Sequence, residues 1–131
     1  MITRLRTSKE AKDRLLQLSS VLRFSSNAII LRYAIARSLQ SEKPIIDDID
    51  AIVANNSGFE ITRKTLFGDN EIVYRLLMEA ENEDDEFFFP KLTNMHIERG
   101  LKTMERDYKL AGNKEKFIRN YINKIEDTLD Q

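Results

Sequence analysis

The hydrophobic pattern at the start of the chain changes its period at Ser8, and this change constrains the fold more than any other feature. Between residues 2 and 7, Arg4 and Arg6 lie on the opposite face from Leu5, an alternation that is typical of a short strand. Ser8 is suited to cap a helix. After it, apolar residues recur at helical spacing, at Ala11, Leu15, Leu18 and Leu22. The sequence therefore predicts a strand followed directly by a helix.

A second helix is predicted after a tight turn at residues 23–25. Small polar residues at 25–27 can cap its start, and the helical pattern continues to about Glu42, ahead of Pro44. Apolar residues occupy much of its circumference, which places this helix in the core or in a dimer interface.

The remainder of the chain predicts further helices and one extended segment. Only four Gly and two Pro occur among 131 residues, and so few breaks favour helices. In order, we predict a short helix within 45–57, an extended segment at 59–62, and helices at about 71–82, at about 92–110 and after Gly112. Their predicted apolar faces include Ile72, Leu76, Leu77, Ile97, Leu101, Met104, Tyr108, Phe117, Ile118, Tyr121, Ile122, Ile125 and Leu129. The predicted fold class is mainly α, with a short N-terminal strand followed by helices in a ribbon-helix-helix-like order and additional C-terminal helices.

The net charge of −1 conceals a strong asymmetry along the chain. Residues 1–44 carry nine Lys/Arg and three Asp/Glu, a net of +6, whereas residues 45–86 carry three and twelve, a net of −9. Such asymmetry points to a polyanion as the partner of the basic segment. The length fits one domain. We therefore expect a single domain over 1–131, with 1–44 as its basic DNA-binding part and 45–131 as its acidic middle and C-terminal helical part.

The chain has no cysteine and one histidine, which limits its chemistry. Disulfides, thiolate metal sites and a thiolate nucleophile are excluded, and a lone histidine cannot form a histidine-based metal site. The N-terminus lacks the apolar segment of a signal peptide, and no apolar run approaches the roughly 20 residues that span a bilayer. We therefore expect a cytoplasmic protein with no membrane segment, no cofactor, no metal and no catalytic residue.

The sequence features that resemble catalytic or metal sites have simpler structural explanations. His96 is typical of a packed histidine, here beside Arg99. Residues 47–50 lack the glycine and distal glutamate of a calcium loop. The acidic run at 83–86 is typical of a solvated loop rather than a magnesium site, and the phenylalanines at 87–89 are typical of a core segment rather than a base-stacking platform.

The strand and the start of the second helix offer two ways to bind phosphate. Arg4 and Arg6 present cations on the strand, and backbone N–H groups at the helix start favour an anion. Basic residues on the first helix would neutralise further phosphates, and a ribbon with one strand from each chain of a dimer fits the major groove. The candidate DNA-binding residues are Arg4, Arg6, Lys9, Lys12, Arg14, Arg23, Ser25, Ser26 and Asn27.

Four stretches of the sequence, in this order, together carry a family resemblance. They are residues 3–11 (TRLRTSKEA), residues 26–29 (SNAI), residues 59–68 (FEITRKTLFG) and residues 96–101 (HIERGL). In order and spacing they resemble the DndE family of DNA sulfur-modification proteins. The resemblance covers roughly residues 3–104, and the four stretches together are more specific than any one of them alone.

The resemblance implies a small, non-catalytic subunit of a system that replaces a non-bridging phosphate oxygen of DNA with sulfur. It further implies a homotetramer that binds DNA through surface basic residues, with a preference for nicked duplex, while partner proteins carry out the sulfur chemistry. The chain departs from the family in two places. Many members have glycine in the turn where this chain has residues 23–25, and the segment beyond about residue 110 looks longer than usual.

The resulting hypothesis is a DNA-binding accessory subunit of a DNA phosphorothioate-modification complex. It would bind double-stranded DNA, intact or nicked, and the other subunits of the complex. Three alternatives stay open: an interaction subunit whose basic face meets an acidic protein, a ribbon-helix-helix transcription regulator that reads base edges, and a small nuclease that uses the acidic run at 83–86. The sequence supports the nuclease least.

Overall fold

The computed structural model describes the backbone of residues 1–129 and the side chains of residues 1–121. Its elements are β1 (Arg4–Arg6), α1 (Lys9–Leu22), α2 (Asn27–Leu39), β2 (Glu60–Thr62), α3 (Arg63–Phe67), α4 (Glu71–Leu77), α5 (Thr93–Ala111) and α6 (Lys114–Leu129). Two short 3₁₀ turns, Ile45–Asp47 and Ile49–Ala51, lie between α2 and β2, and a kinked turn, Phe87–Leu92, precedes α5. The predicted fold class, mainly helical with a short N-terminal strand, is confirmed.

β1 forms a two-stranded antiparallel ribbon with β2 of the same chain. Leu5 pairs with Ile61 and both side chains are buried, so one face of the ribbon covers the core while the other meets solvent. Beyond the strands, the Arg63 N–H donates to the Thr3 carbonyl at 2.8 Å. The sequence also allows a ribbon shared by two chains. Here the extended segment at 59–62 supplies the second strand instead.

Ser8 ties the start of α1 to α5. Its hydroxyl oxygen accepts a hydrogen bond from the Ala11 N–H at 3.0 Å, as predicted for a helix cap, and its O–H donates to the buried Glu98 carboxylate at 2.8 Å. Gly58 lies against the same turn, where a Cβ would come within 2.0 Å of the Ser8 carbonyl oxygen. Only glycine therefore fits at this position, and the ribbon, α1 and α5 are held in one arrangement.

α2 and α5 pack against each other in the core, and their backbones approach closely. At Gly100 a Cβ would lie 1.8 Å from the carbonyl oxygen of Ala34, so the contact requires glycine. Ile97, Leu101 and Met104 on α5 are fully buried, as predicted. The apolar α2 therefore belongs to the core, which is one of the two places that its sequence allows.

α6 packs against the last turns of α5. Gly112 ends α5 in a left-handed conformation, with φ 85°, as predicted for a helix end. The Phe117 ring is buried between Tyr108 and Tyr121, with ring centroids 5.7 Å and 4.3 Å away. Tyr108 itself is half-buried. Three residues of the predicted apolar face have side chains that lie outside the described residues: Ile122, Ile125 and Leu129.

α4 is shorter than predicted and presents its apolar residues to solvent. It ends at Leu77 rather than near residue 82, and Ile72 is 82% exposed. The prediction that Ile72, Leu76 and Leu77 face the core is therefore wrong. The helix docks through its opposite side, where the Tyr74 ring packs on Phe67 with centroids 4.9 Å apart.

The segment 45–57 forms two 3₁₀ turns in place of the predicted helix. Ile46 and Ile49 in these turns are exposed. An aspartate side chain in this segment accepts a hydrogen bond from a backbone N–H two residues on, and such local bonds compete with a longer helix. α2 also stops earlier than predicted, at Leu39 rather than about Glu42.

Candidate nucleic-acid interface

Arg4 and Arg6 project from the solvent face of the ribbon. Their side chains are 67% and 52% exposed, and each lies near the Glu60 carboxylate of β2, at 3.6 Å and 3.4 Å. Ion pairs this exposed contribute little to stability, about 0–1 kcal/mol. Both guanidinium groups can therefore exchange Glu60 for a phosphate at small cost.

Two lysines extend this basic surface along the first turns of α1. Lys9 and Lys12 are exposed, and neither forms an ion pair within the part of the chain that the structure describes. The Lys9 backbone is fixed, because its N–H donates to the Asn55 side chain at 2.8 Å. Both side chains are therefore exposed cations that can neutralise phosphates.

Lys91 joins the same surface, although it is not among the candidate residues that the sequence predicts. The exposed Lys91 lies beside Arg4 and Arg6 along one groove, although about 85 residues separate it from them in the sequence. Its ammonium group lies 5.8 Å from the Phe87 ring centroid. No local signal marks this lysine, because only the packing of the turn before α5 against the ribbon brings it there.

Arg14 faces the protein and not the solvent. It sits between α1 and α5, with its Nε 3.8 Å from the Glu105 carboxylate and its side chain about three-quarters buried. Of the nine candidate DNA-binding residues, Arg14 is the one whose charge is directed towards another helix.

The start of α2 is exposed and preceded by a left-handed residue. Arg23 has φ 53°, and its N–H donates to the Ser19 carbonyl, which ends α1. Ser26 occupies the cap position of α2, but its side chain makes no capping hydrogen bond. Ser25 is exposed and Asn27 is half-buried. Arg23 thus has a left-handed backbone conformation, which glycine adopts more easily than other residues.

Within one chain the candidate residues form two groups rather than one site. β1 precedes α1 and the start of α2 follows it. The 14 residues of α1 span about 20 Å at 1.5 Å per residue. One group contains Arg4, Arg6, Lys9, Lys12 and Lys91, and the other contains Arg23, Ser25, Ser26 and Asn27.

The only histidine has a structural environment. The Ser38 hydroxyl accepts a hydrogen bond from Arg99 Nε at 2.8 Å and lies 2.8 Å from His96 Nδ1. Ser38 thus links the arginine and the histidine through hydrogen bonds. Burial, assisted by the nearby Arg99 charge, lowers the pKa of His96 to about 4, and the ring is neutral at pH 7. The predicted packing of His96 close to Arg99 is confirmed.

The acidic loop is only partly solvated. Asp85 accepts hydrogen bonds from both terminal nitrogens of the buried Arg63, at 2.9 Å and 2.6 Å, and these hold the pKa of Asp85 below its usual range. Arg63 also pairs with Glu71 and lies over the buried rings of Phe88 and Phe89. The core role predicted for these phenylalanines is confirmed, and Asp85 serves as the partner of a buried arginine.

The described residues offer neither a metal site nor a membrane span. No group of three or more His, Cys, Asp or Glu side chains there could hold a metal ion. No helix in that part of the chain is both long and apolar enough to cross a bilayer.

The sequence matches the family described as DNA sulphur modification protein DndE over residues 4–112. The chain belongs to the DndE family. Its fold is similar to the crystal structure of DndE from Escherichia coli B7A, described as involved in DNA phosphorothioation modification, with a TM-score of 0.61 and 19% sequence identity. The similarity covers 77% of this chain and 96% of the Escherichia coli chain. Among curated protein sequences, none matches this chain significantly.

One helix of this DndE-family chain lies beyond the family match. The match ends at Gly112, and α6 begins at Lys114. The basic group at β1, the start of α2 and the buried histidine all fall inside the matched region. The family membership places the chain in a DNA sulfur-modification system.

Proposed function

We propose that this DndE-family chain is a non-catalytic, DNA-binding accessory subunit of a DNA phosphorothioate-modification complex. The observation that carries the proposal is the exposed arginine pair on β1. Arg4 and Arg6 lie on a fixed ribbon. Among the described residues, the exposed Glu60 is the only ion-pair partner of their guanidinium groups. The Arg6 carbonyl accepts a hydrogen bond from Asn94. Arginine is well suited to bidentate contacts with phosphate.

The other cations extend this contact along the DNA backbone. Lys9, Lys12 and Lys91 would neutralise phosphates next to those that the strand arginines hold. The start of α2, about 20 Å away, would contact a separate phosphate of the same duplex. Contacts of this kind fix the position of the protein on duplex DNA without reading its sequence.

A non-catalytic role is supported by how the chain uses its reactive side chains. The neutral His96 is hydrogen-bonded to Ser38 in the core, and the chain has no cysteine with which to carry sulfur. The sulfur transfer would then belong to partner subunits of the complex.

Self-association is the second part of the proposal. Ile72, Val73, Leu76 and Leu77 expose one apolar face of α4, and contiguous apolar patches typically mark interaction sites. The DndE family resemblance implies a tetramer. In an oligomer, binding of one chain raises the effective concentration of the other chains at the DNA, so several weak contacts together bind tightly.

We expect the Leu76→Asp variant to have a lower mass in solution by light scattering than the unchanged protein. An unchanged mass would contradict an interface at α4.

A salt titration of DNA binding tests the assignment of the basic group. In a triple variant, Arg4→Ala, Arg6→Ala and Lys12→Ala, the slope of log affinity against log salt should fall by about two to three, because each lost phosphate contact removes about 0.9. Fluorescence anisotropy with a labelled duplex at several salt concentrations gives this slope.

A second triple variant provides the matched control. Lys109, Lys114 and Lys116 are exposed and lie near the junction of α5 and α6, so their replacement by Ala removes the same charge from a different surface. We expect the slope to be unchanged. Equal losses in the two triple variants would show that only net charge matters, and would overturn the assignment.

The preferred DNA structure is tested by competition. Unlabelled intact duplex, nicked duplex and single strand of the same length should displace the labelled duplex with different efficiency, and we expect nicked duplex to be the best competitor. A strong preference for one sequence over random duplex would favour the transcription-regulator alternative. The absence of any DNA affinity at low salt would favour an interaction subunit.

A further inference from the structure

A groove of about 530 Å³ runs beside the edge of β1 that faces away from β2. Its charged side chains are Arg4, Arg6 and Lys91, and no acidic residue lines it. Its apolar walls come from Ile52, at the end of the second 3₁₀ turn, and from Met95, in the first turn of α5. Such a volume lies within the range of small-molecule binding sites.

The lining calls for a ligand that is both anionic and apolar. Three cations favour a phosphate, but a phosphate alone would leave the apolar walls in water. Ile52 is 59% exposed, so the groove offers apolar surface that nothing in the described part of the chain covers. The amides of Asn56 and Asn94 lie along the same walls and can hydrogen-bond a polar edge.

We propose that this groove binds one unstacked nucleotide at the end of a DNA strand. Arg4, Arg6 and Lys91 would hold its phosphate, and its base would lie against the apolar walls with its edge towards Asn56 or Asn94. This inference rests on the proposed DNA binding and deepens it. The bases of an intact duplex are stacked, so a duplex offers the groove its phosphates but no base surface.

A peptide strand fits this edge less well than a nucleotide. Strand addition needs free backbone groups on β1, but Asn94 Nδ2 already donates to the Arg6 carbonyl at 3.0 Å. A peptide backbone would have to displace this bond and would bring no anion to Lys91 or to the weakly paired Arg4 and Arg6. A nucleotide has neither disadvantage.

Binding of matched DNA duplexes tests the proposal. One duplex has blunt ends and the other carries a single unpaired 2-aminopurine nucleotide at one end. We expect the full chain to bind the second duplex about fivefold more tightly, because the base covers apolar surface of the groove, and to change the fluorescence of 2-aminopurine. Ile52→Ser should remove this advantage and leave binding to the blunt duplex unchanged.

Ile46→Ser is the matched control, since Ile46 is exposed on the preceding 3₁₀ turn and does not line the groove. It should keep the fivefold advantage. The inference would be overturned if the unchanged protein bound both duplexes equally, or if the Ile52→Ser variant kept the advantage. In either case the protein would still bind duplex DNA, so the proposed function would stand. Failure to bind either duplex would overturn both. If Ile52→Ser weakened only the binding of a purified partner subunit, the groove would be a protein surface instead.

Discussion

The ribbon at residues 4–6 and the α5 segment at residues 96–100 are both charged, but they use their charges differently. Arg99 is buried and donates to the Ser38 side chain and carbonyl and to the Lys43 carbonyl, all within 2.8 Å. Arg4 is largely exposed and has one weak partner, Glu60. An arginine whose donors are satisfied inside the protein holds elements together, whereas one on an exposed ribbon is available to a ligand.

The largest expected effect would come from removing the buried arginine. Arg99→Ala leaves Asp48, whose side chain is only 10% exposed, without its partner. We expect the free energy of unfolding to fall by about 3–5 kcal/mol, measured by chemical denaturation. Arg106→Ala on the same helix removes an exposed arginine that pairs with Asp50, and should cost less than about 1 kcal/mol. Similar losses in both variants would break the distinction between the two kinds of arginine.

A smaller effect should appear as a pH dependence of stability. The pKa of His96 is about 4 in the folded protein and close to 6.5 when unfolded, so between these values the unfolded chain binds the proton more readily. The contribution of His96 is therefore complete above about pH 7 and is lost as the pH falls towards 4. Between pH 7 and pH 5 the loss should be about 2 kcal/mol.

His96→Gln isolates this effect, because the variant cannot titrate in that range. The pKa of Glu98 is raised by burial, but this group is present in both proteins and drops out of their difference. Denaturation at pH 7 and pH 5 measures both. If the variant lost as much stability as the unchanged protein on acidification, the buried neutral histidine would not be the cause.

The smallest expected effect is a change in DNA affinity when the exposed ribbon loses its carboxylate. Glu60→Gln removes the carboxylate next to Arg4 and Arg6, so affinity for duplex DNA should rise about two- to fivefold, as expected for the loss of a weak exposed ion pair. Glu115→Gln removes a more exposed carboxylate, the partner of Arg119 on α6, and should leave affinity almost unchanged. Anisotropy titrations at fixed salt compare the two. A matching rise in both variants would point to net charge, and no rise in Glu60→Gln would remove β1 from the interface.

The local sequence pattern was sufficient to predict several parts of this molecule. The change of period at Ser8, the cap on α1, the buried stripe of Ile97, Leu101 and Met104 and the end of α5 at Gly112 all follow from short-range spacing. Each is set by side chains within a few turns of one another. The exposed strand arginines follow for the same reason, because the alternation at Leu5 fixes which face is buried.

Tertiary structure decided which surfaces find a partner. The periodicity of α4 identifies an apolar face but not whether another element covers it, and in this chain Ile72 is exposed. Arg14 and Arg4 look alike in the sequence, but α5 lies next to Arg14 and solvent next to Arg4. Lys91 reaches the ribbon only through the packing of a distant turn. The sequence determined the elements and their faces, and the contacts between elements far apart in the chain determined which charges remain at the surface for DNA.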